Sequence, residues 1–165
     1  MNEFMTHIHF DYNKEALLKE FDNANLSVYT PSRKINEQSW FNKTDTWLTA
    51  VADEQSSEMY RIKCMLEDTF NEPVTAKFFL LKENEHIPPH KDMGHRVCIN
   101  IVLSNDAAPV KFKDGPEESY ECAMLNVFKR HEVLPGPERK MVKFQIGENL
   151  FYRDALQIWE NGTNV

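Results

Sequence analysis

The sequence predicts a mainly β fold with flanking helices, arranged as a jelly roll, that is, a double-stranded β-helix. Between residues 73 and 146, short apolar runs alternate with segments rich in Pro, Gly, Asn and Asp. Several short strands at such spacing are typical of sandwiches and barrels, with the jelly roll as the natural candidate. On both sides of this segment, apolar residues recur at helical spacing instead. We therefore expect helices that flank a β core.

Residues 1–72 have a mixed pattern that indicates helical support for the core. Asn13 is placed to cap a helix over residues 15–21, because its side chain can accept a hydrogen bond from a free backbone N–H of the first turn. A Pro-Ser turn is expected at residues 31–32. A second helix is expected from about residue 56 to residue 70, where apolar residues recur at helical spacing. These residues are Met59, Ile62, Met65, Leu66 and Phe70.

Residues 73–146 carry the predicted strands, and residues 147–165 a final helix. Turn signals separate the apolar runs, and the tail stops at Asn161-Gly162, a pair that commonly ends helices. On this pattern the chain is one domain over residues 1–165. The predicted strands lie within 74–82, 97–103, 109–113, 119–125 and 141–146, and the predicted apolar face of the last helix comprises Phe151, Ala155 and Ile158.

Composition limits the classes of function. The 165 residues are 41% hydrophobic and carry a formal net charge of −7, which argues against bulk attraction to nucleic acid or to anionic membranes. Three separated cysteines form no disulfide framework or CxxC motif. The acidic N-terminus has no hydrophobic signal region, and no run approaches the length of a membrane span. We therefore expect a cytoplasmic protein with no membrane partner.

The segment His86-Ile-Pro-Pro-His90-Lys-Asp92 is the most informative part of the sequence. On an extended backbone, positions i and i+2 face the same way, so His90 and Asp92 can direct an imidazole and a carboxylate at one point. His131 ends a later strand-like segment, and in a jelly roll such strands face each other across the core. Two imidazoles and one carboxylate on one face of a metal are typical of non-haem Fe(II) oxygenases. We therefore predict His90, Asp92 and His131 as metal ligands and catalytic residues.

Other interpretations of these residues stay open at this point. An isolated HxD pattern is more often a solvated turn than a metal site. His7 and His9 form an HxH pair of the kind found in cupin metal sites, but no Glu and His follow at the usual spacing, and an edge strand is the favoured explanation. His86 and His95 could compete as ligands, but neither has a carboxylate two residues away on the same face.

The order of these residues resembles the 2-oxoglutarate-dependent Fe(II) oxygenases. His90-Lys-Asp92, then His131, then Arg139 follow the HxD…H…R pattern of that family over roughly residues 75–146. The flanks resemble the aspartyl/asparaginyl β-hydroxylase and prolyl hydroxylase branches: Arg96 leads into a strand after the HxD turn, and Leu125-Asn126 precedes the distal histidine. The resemblance implies an enzyme that uses Fe(II), O2 and the cosubstrate 2-oxoglutarate to hydroxylate a protein side chain or a small molecule.

The resemblance also implies which residues bind the cosubstrate. Arg139 is expected to pair with its far carboxylate, because a guanidinium offers two parallel charge-assisted hydrogen bonds. Only one of Arg139 and Lys140 can point into the pocket, and covering helices on one sheet favour Arg139. Asn100 is a candidate for the metal-proximal carboxylate, with a core amide bonded to backbone as the alternative. Arg96, on the same strand face, is a further candidate, unless it pairs with a structural carboxylate.

Two other classes of function are compatible with the sequence. One is a non-catalytic jelly-roll module that binds a sugar or peptide. The other is a cupin-type metalloenzyme that does not use 2-oxoglutarate. Metal content and succinate production from 2-oxoglutarate distinguish the three, because only the oxygenase both binds iron and releases succinate.

Overall fold

The structure, a computed structural model, describes residues 2–28, 47–51 and 57–163. The predicted turn at residues 31–32 lies outside this part of the chain. Eleven strands and three helices are present in the described ranges. The helices are α1 (Lys14–Asp22), α2 (Ser57–Phe70) and α3 (Tyr152–Thr163); the strands are β1 (Met5–His7), β2 (Ser27–Val28), β3 (Trp47–Val51), β4 (Val74–Leu81), β5 (Ile87–His90), β6 (Val97–Val102), β7 (Val110–Phe112), β8 (Glu117–Glu118), β9 (Cys122–Asn126), β10 (His131–Val133) and β11 (Arg139–Ile146).

The strands form two antiparallel sheets, which confirms the predicted jelly roll. The major sheet has the order β1-β9-β6-β11-β4-β3-β2, and the minor sheet has the order β5-β10-β7-β8. β9, β6, β11 and β4 are neighbours in the major sheet, and β5, β10 and β7 in the minor sheet, although they are not consecutive in sequence, as the crossing connections of a double-stranded β-helix require. β5 contains Pro88 and Pro89 and lies at an edge of the minor sheet, the position where strands tolerate proline.

The three helices cover the outer face of the major sheet. Val142, Phe144 and Ile146 on β11 point to this side and belong to one large apolar cluster with the helices. Apolar side chains that alternate along a strand pack on one face only, so the alternate residues of β11 face the other way. The helices contribute Leu17 and Phe21, Met59, Ile62, Leu66 and Phe70, and Ala155, Leu156 and Trp159.

A second, smaller apolar cluster fills part of the space between the two sheets. Cys98 and Val102 of β6 pack there with Phe112 of the minor sheet. Every residue of β6 is buried, because the strand has helices on one face and the minor sheet on the other. Polar side chains on the inner faces of β6 and β11 therefore point into the jelly-roll interior.

The predicted helices agree closely with the structure. Asn13 caps α1, accepting a hydrogen bond from the Ala16 N–H at 3.0 Å, and α2 begins one residue after its predicted start. The predicted face of α3 was wrong in part: Phe151 precedes the helix and is 51% exposed, whereas Tyr152 and Trp159 are buried. The division of one domain into three parts stays a prediction. No helix in the described ranges is both long and apolar enough to cross a membrane.

Candidate metal centre

The three side chains predicted as metal ligands lie together between the sheets. His90 at the end of β5 and His131 at the start of β10 are direct partners in the strand register. Asp92 follows two residues after His90, and its N–H donates to the Val127 carbonyl at 3.0 Å, which fixes the turn. Asp92 Oδ1 lies 3.2 Å from His90 Nε2 and 3.5 Å from His131 Nε2. One ligand atom from each residue lies within 4.8 Å of the others.

Backbone carbonyls orient both imidazole rings. His90 Nδ1 lies 2.8 Å from the Pro88 carbonyl oxygen, and His131 Nδ1 lies 2.8 Å from the Lys129 carbonyl oxygen. A carbonyl can only accept, so Nδ1 carries the proton in each ring and the Nε2 lone pair of the neutral imidazole is left for a metal. Such a hydrogen bond on the far nitrogen is what holds metal-binding histidines in place.

The two oxygens of Asp92 face different groups. Oδ1 faces the two imidazoles, while Oδ2 accepts a short hydrogen bond from Lys143 Nζ. His95 Nε2 also lies 3.1 Å from Oδ2, but it has no hydrogen-bond partner within the described ranges. Lys143 therefore leaves Oδ1 available to act as a single metal-binding atom. Sequence reasoning missed Lys143, although it shares the inner face of β11 with Arg139.

The surrounding charges set the protonation states that a metal site needs. Burial alone raises the pKa of Asp92, but the Lys143 cation and the contacts with His90 and His95 outweigh it and hold this pKa well below its usual value. Burial lowers the pKa of His131 to about 4, against the opposing pull of Asp92. At neutral pH Asp92 is thus ionised and His131 neutral, the forms in which they bind metals.

A pocket connects the three ligands to Arg139. Arg139, Met141 and Lys143 alternate along the inner face of β11 and all line it, so Arg139 and Lys143 are about 13 Å apart along the strand. Arg139 is only 3% exposed. Its Nη1 donates to the Ala108 carbonyl at 2.8 Å and its Nη2 to the Tyr120 hydroxyl at 2.7 Å, while the buried Nε has no partner in the described structure.

Tyr120 offers a second hydrogen-bond donor at the same end of the pocket. Its hydroxyl oxygen accepts from Arg139 Nη2 and from Asn100 Nδ2, the latter at 2.9 Å. Neither partner can accept in return, because guanidinium N–H and amide NH2 groups only donate. The Tyr120 proton is therefore left to donate to a third group. Sequence reasoning missed this residue, and its only signal was a polar hydroxyl at the start of the run 119–125.

The other residues predicted to bind the cosubstrate lie elsewhere. Asn100 is buried behind Tyr120 and does not line the pocket, so its contact orients Tyr120 instead. Arg96 precedes β6 and stacks on two phenylalanine rings outside the pocket, which corrects its prediction as a cosubstrate residue. Lys140 points to the helix side and pairs with Asp22 at 3.5 Å. Of the competing histidines, His86 lies 3.5 Å from Glu132 and His7 lies 3.4 Å from Glu118.

Solved structures share this fold at low sequence identity. A viral collagen prolyl hydroxylase from Paramecium bursaria Chlorella virus-1, solved as a 2-oxoglutarate complex, superposes with a TM-score of 0.59, 9% identity and coverage of 87% of this chain and 94% of that one. HygX from Streptomyces hygroscopicus, with nickel, 2-oxoglutarate and hygromycin B bound, superposes with a TM-score of 0.57 and 10% identity. The match covers 91% of this chain and 84% of that one. A prolyl-4-hydroxylase from Pseudomonas putida superposes with a TM-score of 0.53 and 16% identity, and the match covers 81% of this chain and 82% of that one. The similarity establishes the architecture.

Comparison of the sequence with protein-family models and with curated proteins finds no match. The residues of the site therefore carry the functional argument.

Proposed function

We propose that this protein is a non-haem Fe(II) oxygenase that couples oxidative decarboxylation of 2-oxoglutarate to hydroxylation of a protein side chain or a small molecule. The observation that carries the proposal is one pocket with a His-Asp-His group beside Lys143 and unused buried donors around Arg139. The same fold holds metal and 2-oxoglutarate in HygX. The balanced reaction converts 2-oxoglutarate, O2 and a C–H bond to succinate, CO2 and an alcohol.

The ligand group fits a metal of this class. Two ligands at right angles, each about 2.1 Å from a metal, are about 3 Å apart, close to the 3.2 and 3.5 Å from Asp92 Oδ1 to the two imidazoles. His90, Asp92 and His131 would hold the ion on one face and leave its other positions for cosubstrate and oxygen. When bound, the iron supplies the redox chemistry and 2-oxoglutarate supplies two of the electrons.

The far end of the pocket fits a carboxylate. Arg139 Nε is a buried donor without a partner, and the Tyr120 hydroxyl proton has no acceptor among its known contacts. A buried donor without a partner is costly, and a carboxylate placed between these two groups satisfies both. The positive charge of Arg139 offsets the cost of burying that carboxylate. We therefore assign Arg139 and Tyr120 to the far carboxylate of 2-oxoglutarate.

The remaining pocket residues orient the cosubstrate and exclude water. Apolar side chains from both sheets line the space between Arg139 and the ligand group. The passage has the Arg139 cation at one end and the ligand group, which would hold a metal cation, at the other, so each end would attract one carboxylate of a dicarboxylate. These apolar side chains are Phe79, Leu81, Ile87, Val133 and Met141.

The test combines binding with turnover. Purified protein is loaded with Fe(II), and succinate is measured with 2-oxoglutarate and O2. In parallel, the thermal midpoint is measured with Mn(II), with 2-oxoglutarate, and with both. We expect metal-dependent succinate formation, and a rise in the midpoint from 2-oxoglutarate that requires the metal, because a ligand stabilises only the state that binds it.

The matched control is Asp92→Asn. It keeps the shape of the side chain and removes the charged ligand, so metal-dependent succinate formation should fall to background. Metal binding without succinate formation in the wild type would favour the cupin-type alternative. Absence of metal binding would leave only the non-catalytic binding module.

A further inference from the structure

An exposed surface of stacked aromatic and cationic side chains lies beside the ligand group. The Arg96 guanidinium lies 4.2 Å from the centroid of the Phe151 ring and 5.4 Å from that of Phe128, and Lys91 Nζ lies 5.3 Å from that of Phe128. Phe128 and Phe151 are about half exposed, at 49% and 51%. We call these four residues the cation–aromatic surface.

The exposure of this surface is unusual within the protein. Four large apolar side chains in the described ranges are strongly exposed; Phe128 and Phe151 are two of them, and Met93, two residues after Lys91, is a third. Single exposed apolar residues are ordinary, but a cluster marks an interaction site. Two rings that stack on the same guanidinium form such a cluster.

The two cations of the surface are available for an anionic group. In the described ranges Lys91 and Arg96 contact rings and form no ion pair with a carboxylate, whereas Lys14, Lys111 and Lys129 each lie within 4.0 Å of one. A guanidinium stacked on aromatic faces keeps the N–H groups of its edge free for bidentate binding of a carboxylate. The stacking also restricts the side chain, so less entropy is lost on binding.

The surface adjoins the ligands but does not line the pocket. Lys91 lies between His90 and Asp92 in the chain, and the hydrogen bond from Asp92 N–H to the Val127 carbonyl brings Phe128 to the same turn. None of the four residues is part of the pocket lining. A molecule that reaches the ligand group and also contacts this surface must therefore extend outside the pocket.

Charge distinguishes between the possible occupants. A chain of net charge −7 repels a uniform polyanion, and two cations are few compared with the phosphate contacts of nucleic-acid binding proteins. An acidic side chain near an apolar one matches two cations set among aromatic rings. A polypeptide provides both groups at the spacing of neighbouring residues while another residue enters the pocket.

We propose that the cation–aromatic surface of Lys91, Arg96, Phe128 and Phe151 binds a polypeptide substrate through an acidic residue and an adjacent apolar residue close to the hydroxylated position. This inference rests on the proposed function, because it names the substrate class of that site. It narrows the substrate from a protein side chain or a small molecule to a polypeptide segment with an acidic residue next to an apolar one.

The test uses fluorescence anisotropy with the full chain loaded with Mn(II) and 2-oxoglutarate. The probe is a short labelled Gly/Ser peptide with two glutamates around one phenylalanine. Matched peptides carry glutamine or lysine instead of glutamate, and a single-stranded oligonucleotide of equal length represents nucleic acid. We expect the acidic peptide to bind and the glutamine peptide to bind about tenfold more weakly, as expected for loss of a charge-assisted hydrogen bond.

Two double variants locate the binding site. Lys91→Gln with Arg96→Gln should weaken acidic-peptide binding by about tenfold or more, and Phe128→Ala with Phe151→Ala should also weaken it. Lys111→Gln is the control, because this exposed cation lies on β7 and is 4.0 Å from Glu117. Circular dichroism of each variant confirms that it is folded.

Three results would overturn the proposal. These are no binding of the acidic peptide to the wild type, equal loss of affinity in the Lys111→Gln control, and tighter binding of the oligonucleotide than of the peptide. Failure of the proposed function is recognised separately, since it is read from the absence of succinate in the wild type, whatever the peptides do.

Discussion

Lys143 and Asp92 are 51 positions apart in sequence and form a buried ion pair beside the proposed metal site. Both side chains are 9% exposed. The pair uses Oδ2 of the carboxylate, and the metal site uses Oδ1, so the cation and a metal can bind Asp92 at the same time. Without a metal, Lys143 is the nearest full positive charge that offsets the carboxylate.

Lys143→Met should make stability strongly dependent on metal. Removing one partner of a buried ion pair costs about 3–5 kcal/mol because the other charge is left uncompensated. Bound Mn(II) supplies a new counter-charge for Asp92. We therefore expect a lower thermal midpoint without metal and a larger Mn(II)-induced rise than in the wild type. Lys140→Met is the control, because its pair with Asp22 is exposed and such pairs contribute little. An equal Mn(II)-induced rise in the thermal midpoint of Lys143→Met and of the wild type would contradict the role of Lys143 as the counter-charge of Asp92.

Arg139→Ala should weaken 2-oxoglutarate binding without loss of metal affinity. Truncating one partner of a buried charge pair costs about 2–5 kcal/mol, which is measured here as an increase in the KM for 2-oxoglutarate in the succinate assay. Lys140→Ala, on the opposite face of β11, should change this KM little. The reverse pattern would show that the wrong face of the strand has been assigned to the pocket.

Tyr120→Phe should also raise the KM for 2-oxoglutarate, by less than Arg139→Ala. It removes one hydrogen bond to a charged group, worth about 1.5–3 kcal/mol. It also leaves Arg139 Nη2 and Asn100 Nδ2 without their acceptor, so the thermal midpoint is measured as well. A lower midpoint with an unchanged KM would limit Tyr120 to a structural role.

Gly136→Ala should disturb the same end of the pocket from outside. A Cβ at position 136 would lie 2.6 Å from the Cβ of Ala108, and the Ala108 carbonyl accepts from Arg139 Nη1. Overpacking of this kind costs about 1–3 kcal/mol, and displacement of Ala108 should raise the KM for 2-oxoglutarate. Gly162→Ala is the matched control. A Cβ at this position of α3 would have open space, so the substitution should leave the stability of the protein unchanged or raise it slightly. An unchanged KM in Gly136→Ala would separate Ala108 from cosubstrate binding.

The cysteines should differ in reactivity towards thiol reagents. Burial raises the pKa of both Cys98 and Cys122 to about 12, so neither forms the reactive thiolate at neutral pH. Cys64 is partly exposed. Titration with a chromogenic disulfide should therefore detect one fast thiol in the native protein and all three after unfolding. Fast reaction of a second thiol in the native state would contradict the burial of β6 or β9.

Local patterns predicted much of the fold because they depend on neighbouring residues. The cap at Asn13 and the spacing in α2 require only one helical turn of sequence. β5 was missed because Pro88 and Pro89 argue against a strand, whereas prolines are tolerated on an edge strand and at an irregularity of the pairing, and the register of β5 with β10 shifts between Ile87 and His90. β10 was missed because three residues give too short a pattern.

Only those features of the site that follow from the alternation of side chains along a single strand could be predicted from the sequence. The alternation along β11 left either face as the pocket side, and the family resemblance favoured the face of Arg139, which lines the pocket; its role in cosubstrate binding stays a prediction. Arg96 was misplaced because the alternation of β6 was extended one residue before the strand begins at Val97. The contacts of Tyr120 and Lys143 depend on which strands are neighbours across the whole chain, and local spacing carries no information on that.

The two prolines of β5 also bear on how the protein behaves at high concentration. An edge strand with free N–H groups is a template on which a second chain can add a strand. Pro88 and Pro89 present two successive positions without an N–H donor on the strand that ends in His90. Within the described sheet, β5 thus lacks N–H donors that a further strand would need, so assembly of chains through this edge beside the proposed metal site is disfavoured.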